Sequence, residues 1–245
     1  MKVINELLYI FSESKARLPN VHFVFEGTNT EPFFIKRCLY HLKESLFGKV
    51  NILLSIKEAD DFGRTEIKEL LKIANDIVSN KDFVKGIDKV VVVFDLDRFK
   101  NDQSRINTLL NKTNENIIFA YTNPSFELFV FLLIKDSLEK QILPDAQNIL
   151  ENNWVFIDEK IKERYIFHSL KETIGLNVKN KNDLSSMDFE TLFENFDYAE
   201  QQELRINRFL DKAANNLTSN ICEVLTYIKN GLNGSISYEF KKKGE

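Results

Sequence analysis

Apolar positions along the first half of the chain keep changing period. "VHFVFEG" (21–27) is a short apolar run that stops at a glycine, which predicts a buried strand and a tight loop. In "PFFIKRCLYHLKESLF" (32–47) the residues Phe34, Ile35, Cys38, Leu39, Leu42 and Leu46 fall at helical spacing, with Pro32 suited to a first turn. "KVNILLSI" (49–56) predicts a second strand, "RTEIKELLKIANDIVSN" (64–80) a second helix with Thr65 as N-cap, and "DKVVVVFDLD" (88–97) a third strand. A helix over "DQSRINTLLNKT" (102–113) and a fourth strand over "NIIFAYT" (116–122) follow, before "PSFELFVFLLIKD" (124–136) turns helical. This alternation predicts an α/β fold whose parallel sheet is covered on both faces, with any site beyond the carboxyl ends of its strands.

From residue 136 no strong strand pattern recurs. "AQNILENN" (146–153), "KIKERYIFHSLKETI" (160–174), "DFETLFENF" (188–196), "AEQQELRINRFLDKAANNL" (199–217) and "SNICEVLTYIKNGL" (219–232) all read as helices. The chain is therefore expected to divide into an α/β domain, 1–135, and a helical C-terminal region, 136–245, without a Gly/Ser/Pro-rich linker between them.

Composition narrows the classes of function. A chain of 245 residues, 43% hydrophobic, is long enough to bury a proper core. Its net charge of −4 argues against broad nonspecific attraction to nucleic acid, so a polyanion would be met by a local basic patch. For such a patch we consider Lys160, Lys162, Arg164 and Lys171, or Arg205 and Arg208, on helical faces where Glu159, Glu163 and Glu203 are interspersed. The two cysteines, Cys38 and Cys222, lie far apart in apolar helical patterns and are expected to be buried thiols. Asn5, Glu6, Ser12 and Glu13 interrupt the N-terminus too often for a secretory signal, and no run approaches a membrane span, which points to the cytoplasm. His22, His41 and His168 lack zinc-ligand spacing, "EGTNTEPF" lacks the lysine of a P-loop, and no serine nucleophile elbow is present.

The charges at the strand ends remain to be explained. Glu26 closes the first strand, and Asp95 and Asp97 close the third; two residues apart in a strand, the aspartates would share a face. Parallel strands bring such ends to one edge, and closely spaced carboxylates repel unless a positive charge holds them ionised. A hard cation, Mg²⁺ or Mn²⁺, bound by Asp95, Asp97 and Glu26 with waters and phosphate oxygens, meets that need. Gly27 would let the chain turn sharply, toward a helix whose N-terminal amides suit a phosphate. Glu31 in that first turn and Glu127 in the first turn after the fourth strand are additional candidates, each equally well read as a carboxylate favoured by the helix dipole. Asp60 and Asp61 read as a loop before the second helix.

Strand-Glu26-Gly27-helix followed by strand-Asp95-Leu96-Asp97 resembles the TOPRIM domain of topoisomerases, primases and overcoming-lysogenization-defect nucleases. "EGTNTEPFFI", "VVVVFDLDRF" and "NPSFELFVFLL", with the C-terminal "AANNLTSNICEVLTYI", are similar to the RloB and AbiLii proteins and to AriB, the effector of the PARIS phage-defence system. The resemblance implies a TOPRIM-like sheet and a metal-dependent endonuclease acting as the toxic effector of an abortive-infection system. It also implies tRNA as substrate, an ABC-type ATPase partner, and catalytic roles for Glu26, Asp95 and Asp97, and it admits a homodimer. Arg98 and Lys100 stand where an assisting cation would be looked for. Three other readings are weighed: a DNA nuclease of the same fold, a non-catalytic module binding the ATPase, and a haloacid-dehalogenase-like phosphatase. The last is disfavoured because Arg98 follows the aspartates, much of an α/β domain precedes them and no later strand carries an acidic pair.

Overall fold

In a computed structural model, residues 3–8, 17–57, 67–97, 104, 106, 108, 115–157, 162–175, 189–206 and 216–236 are described. They belong to two compact units, each discontinuous in sequence: Met1–Phe94, Asn107–Tyr121 and Glu223–Glu245 form one, Asp95–Ile106 and Thr122–Cys222 the other.

The first unit holds β1 (Val3–Leu8), β2 (Asn20–Phe25), α1 (Thr30–His41), the short α2 (Lys43–Leu46), β3 (Asn51–Lys57) and α3 (Ile67–Val78), with nearly all of β4 (Lys89–Asp95) and most of β5 (Ile117–Asn123). β2 runs parallel to both of its neighbours, with Val21 beside Ile52 and Lys89, and Phe23 beside Leu54 and Val91. Val90 N–H donates to Asn116 O and Leu96 N–H to Thr122 O, both at 2.8 Å; the numbers rise together, so β5 is parallel to β4. Val90 to Phe94 are all buried, as are all seven residues of β5. Strands in the middle of a parallel sheet are covered on both faces, which is why "VVVVF" runs apolar without alternating.

β1 is an antiparallel edge strand, pairing Val3 with Lys57 and Leu8 with Ile52. The strands predicted from the sequence do not include "VINELL", where Asn5 and Glu6 interrupt the apolar pattern. α1 buries Phe34, Ile35, Cys38 and Leu39 as its spacing predicts, and α3 packs on β2 through an amphipathic stripe that includes Leu70 and Ala74. The predicted N-cap Thr65 and the loop residues Asp60 and Asp61 lie outside the described residues, as does most of the helix predicted over 102–113.

The second unit contains the carboxyl ends of β4 and β5, then α4 (Glu127–Leu132), a π-helical turn (Leu138–Ile142), α5 (Ala146–Leu150), β6 (Trp154–Phe156), β7 (Lys162–Arg164), α6 (Tyr165–Ile174), α7 (Phe189–Glu194), α8 (Phe196–Glu203), β8 (Thr218–Ser219) and the start of α9 (Ile221–Lys229). Every residue of α4 is buried, the arrangement expected of a helix that is apolar all round beyond its first residue, Glu127, and α4 packs on α6 and α8. From α8 the buried Gln202 donates to Leu132 O (2.7 Å) and Ile134 O (3.0 Å) and accepts from Leu138 N–H (2.8 Å), so one amide satisfies the carbonyls where α4 ends.

Three strands here correct the all-helical reading of residues beyond 136. β6 and β7 form an antiparallel pair, and "KIKERYIFHSLKETI" becomes helical only at Tyr165, ending at Gly175 with φ 67°. β8 pairs antiparallel with β5, Thr122 opposite Ser219. Two or three residues are too few to show a period, so these short strands had no pattern to reveal them. The strand order is β1-β3-β2-β4-β5-β8, a mixed α/β sheet with a parallel centre and antiparallel edges.

Candidate active site

Glu26 follows the last residue of β2. Its amide still donates to Val93 O of β4 at 3.0 Å, so the backbone remains in the parallel ladder while the side chain, 5% exposed, leaves at the carboxyl edge. Gly27 has a reason other than the one its sequence suggests. It does not adopt a positive φ; instead, the Glu31 carboxylate occupies the space a Gly27 Cβ would fill. The first turn of α1 thereby folds a carboxylate back over the residue next to Glu26, bringing Glu31 closer to the strand end than its helix position alone implies.

Asp95 is the last residue of β4 and is 6% exposed. Thr122 Oγ1 donates to Asp95 Oδ1 at 3.0 Å, and Thr122 itself is fully buried. The Leu96 N–H bond to Thr122 O holds the next residue, so the end of β4 is fastened to β5 by main chain and side chain together. Asp97 differs from its expected position. The strand has already ended, so alternation within a strand does not govern its direction; it sits half-buried in the turn that follows. Arg98 and Lys100 lie outside the described residues.

Glu127 opens α4 and is 7% exposed, and two strand-end neighbours of Asp95, Thr122 and Asn123, are buried before it. Asn123 Nδ2 donates to Asn216 O at 2.9 Å, fixing the segment that leads into β8. Thr122 is the residue that sequence reasoning missed. Its only mark was its place at the carboxyl end of the strand "NIIFAYT", next to the strand bearing the aspartates.

Carboxylates this buried are costly unless donors or cations compensate them. Among the described residues no group of three or more His, Cys, Asp or Glu side chains is arranged to hold a metal ion. The carboxylate oxygens of Asp95 and Asp97 are of the donor chemistry a hard cation takes, since Mg²⁺ and Mn²⁺ need only one or two protein carboxylates with waters and substrate oxygens for the rest.

The basic candidates scatter. Lys162 and Arg164 lie on strand β7, not on a helix; Arg205 is ion-paired with Glu139; Lys171 is exposed in α6; Lys160 and Arg208 lie outside the described residues. Cys38 and Cys222 are free and buried as expected, and burial raises the Cys38 pKa, leaving its thiol protonated and inert. Among the described residues no helix is long and apolar enough to cross a membrane.

Comparison of the chain with curated proteins and with solved structures gives no match. The model of a family described as RloB-like protein matches residues 22–228, which takes in most of β2, Glu26, both aspartates, Glu127 and most of α9. With that match spanning most of its length, the chain belongs to the RloB-like family.

Proposed function

We propose that this RloB-like protein is a metal-dependent TOPRIM-type endoribonuclease, the toxic effector of an anti-phage system, that cuts tRNA and is held in check by an ABC-type ATPase partner. The observation that carries the chemistry is the parallel register of β2 and β4. Phe25 stands beside Val93, Glu26 still bonds to Val93 O, and Asp95 ends the same strand two residues later. Acidic residues closing adjacent parallel strands belong to the carboxyl edge, where open α/β sheets place their sites.

In this reading Asp95 and Asp97 would hold Mg²⁺ or Mn²⁺, and Thr122 keeps the Asp95 carboxylate oriented through its hydroxyl. Bound there, the ion would supply positive charge to offset that of a phosphate and its leaving oxygen. Glu26 either accepts the proton of the attacking water or hydroxyl or completes the metal shell. Glu31, which folds over Gly27, and Glu127, which opens α4, remain additional candidates.

The test is incubation of the purified chain with total tRNA and, separately, with duplex DNA, with Mg²⁺ or Mn²⁺ or with chelator, beside Glu26→Gln of confirmed fold. Discrete tRNA fragments that need both metal and Glu26 are expected. Cleavage of DNA alone would replace RNA by DNA as the substrate. Intact nucleic acid even after the ATPase partner is added would leave a non-catalytic binding module.

A further inference from the structure

The β6–β7 hairpin places its side chains in an arrangement that a solvated turn does not need. Its register pairs Trp154 with Arg164, Val155 with Glu163 and Phe156 with Lys162. Directly opposed residues of an antiparallel pair share a face, and alternate residues of a strand share a face. Trp154, Phe156, Lys162 and Arg164 therefore all project from one side of the ribbon, and Val155 and Glu163 from the other. On that first side Trp154 is 50% exposed and Phe156 72% exposed, next to Ile157 at 45%. Lys162 Nζ stands 5.0 Å and Arg164 Cζ 4.7 Å from the centre of the Trp154 ring. The guanidinium does not drift, because Arg164 Nη1 also donates to Asn152 O at 3.1 Å. α6 packs against both strands and follows directly on β7, so the ribbon has a firm support.

We infer that this face is a binding platform for a single-stranded segment of RNA, with bases stacking on Trp154 and Phe156 and backbone phosphates meeting Lys162 and Arg164. Aromatic faces alternating with cations are how single strands are bound without sequence readout, since every base has a π-face and every linkage a phosphate. Phe156 and Trp154 stand two residues apart on one strand, roughly 7 Å, a spacing that suits successive unstacked bases. Charge selects the occupant: both cations lie on the exposed aromatic side, whereas Glu163 belongs to the opposite side. An apolar protein surface would gain from the aromatics but would have to bury the two cations unpaired. The choice of RNA as the polyanion rests on the nuclease reading, while the platform itself stands on the hairpin geometry.

The chain has one tryptophan, so Trp154 reports on its own occupancy. The experiment titrates the full chain, in chelator so that nothing is cut, with a fluorescein-labelled single-stranded 12-nucleotide RNA of mixed sequence. Tryptophan emission and RNA anisotropy are both followed. Saturable quenching is expected, with log K falling against log salt by about 0.7 for each phosphate contacted. Phe156→Ala should weaken binding about tenfold, and Lys162→Glu with Arg164→Glu should abolish the quench and flatten the salt slope by about 1.4. Phe156 and Lys162 are exposed and Arg164 is half-buried, and circular dichroism checks that each variant is folded. Anisotropy that rises without any change in Trp154 emission, or binding indifferent to these substitutions, would overturn the platform. An equal quench by polyglutamate would overturn RNA in favour of an acidic protein. Because cleavage is not read here, quenching by a chain that never cuts tRNA would sink the nuclease reading and leave the platform; active cleavage without quenching would do the reverse.

Discussion

Thr122 and Gly27 are small residues whose importance is visible only through what they touch. The Thr122 hydroxyl fixes Asp95 Oδ1 in a place closed to water, where a donor counts for more than it does at the surface. Thr122→Val keeps the shape and removes the donor. It should cost about 1–2 kcal/mol in urea unfolding and lower the rate of RNA cleavage, whereas Thr122→Ser should stay close to the parent in both. Gly27 accommodates the carboxylate of Glu31, the far end of a flexible side chain. Gly27→Ala should therefore displace that carboxylate and change stability by less than about 1 kcal/mol. If Glu31 assists at the site, Gly27→Ala and Glu31→Ala will each reduce activity and the double variant will be no worse than either alone; additive losses would show that they act separately. The sequence offered both glutamates and the glycine as candidates, but assigned Gly27 to backbone freedom because a Cβ clash with a residue four positions on cannot be seen from residue type.

At the scale of elements, β4 is bracketed by two buried aspartates with different work. Asp88, just before the strand, accepts from Arg17 Nη2 (2.6 Å), Asn20 N–H (2.9 Å) and Val84 N–H (2.9 Å), so it ties the starts of β2 and β4 to the loop before β4. Asp88→Ala orphans those donors and should cost about 3 kcal/mol in chemical denaturation, with Asp88→Asn recovering part of it. Asp95 at the other end should behave oppositely, losing activity on substitution by Asn with little loss of stability. Another buried acid, Glu203, ends α8, accepts from the Ser219 hydroxyl and receives Cys222 N–H (3.1 Å) in the first turn of α9. Glu203→Ala leaves two donors without that acceptor and should destabilise by roughly 2–4 kcal/mol, measured the same way. The strong elements were legible because their periods run for many residues: β2 to β5, α1 and α3 lie within a few residues of where the pattern predicts them. β1, β6, β7 and β8 were not, because a broken or very short pattern is completed only by its partner strand.

For the whole molecule, pH should act through His22 on β2. Burial lowers its pKa below the ordinary 6.5, with only partial opposition from the Asp88 charge. The unfolded chain therefore takes up a proton in a range where the folded one does not. Stability is complete above pH 6.5 and declines as pH falls from there toward the folded value. His22→Gln should flatten that part of a plot of unfolding free energy against pH, and an unchanged slope would assign the loss to other groups. The sequence by itself determined the α/β class, the parallel core strands and the acidic residues at their ends, because burial follows apolar periodicity and each period is written locally. Only the tertiary structure decided that Val3–Leu8 joins the sheet, that Thr122 holds Asp95, that Glu31 lies over Gly27, and that Trp154 meets Arg164 across a hairpin. Each of these joins residues through a register or a close approach, and such pairings acquire their energy only when the chain has collapsed around a common core.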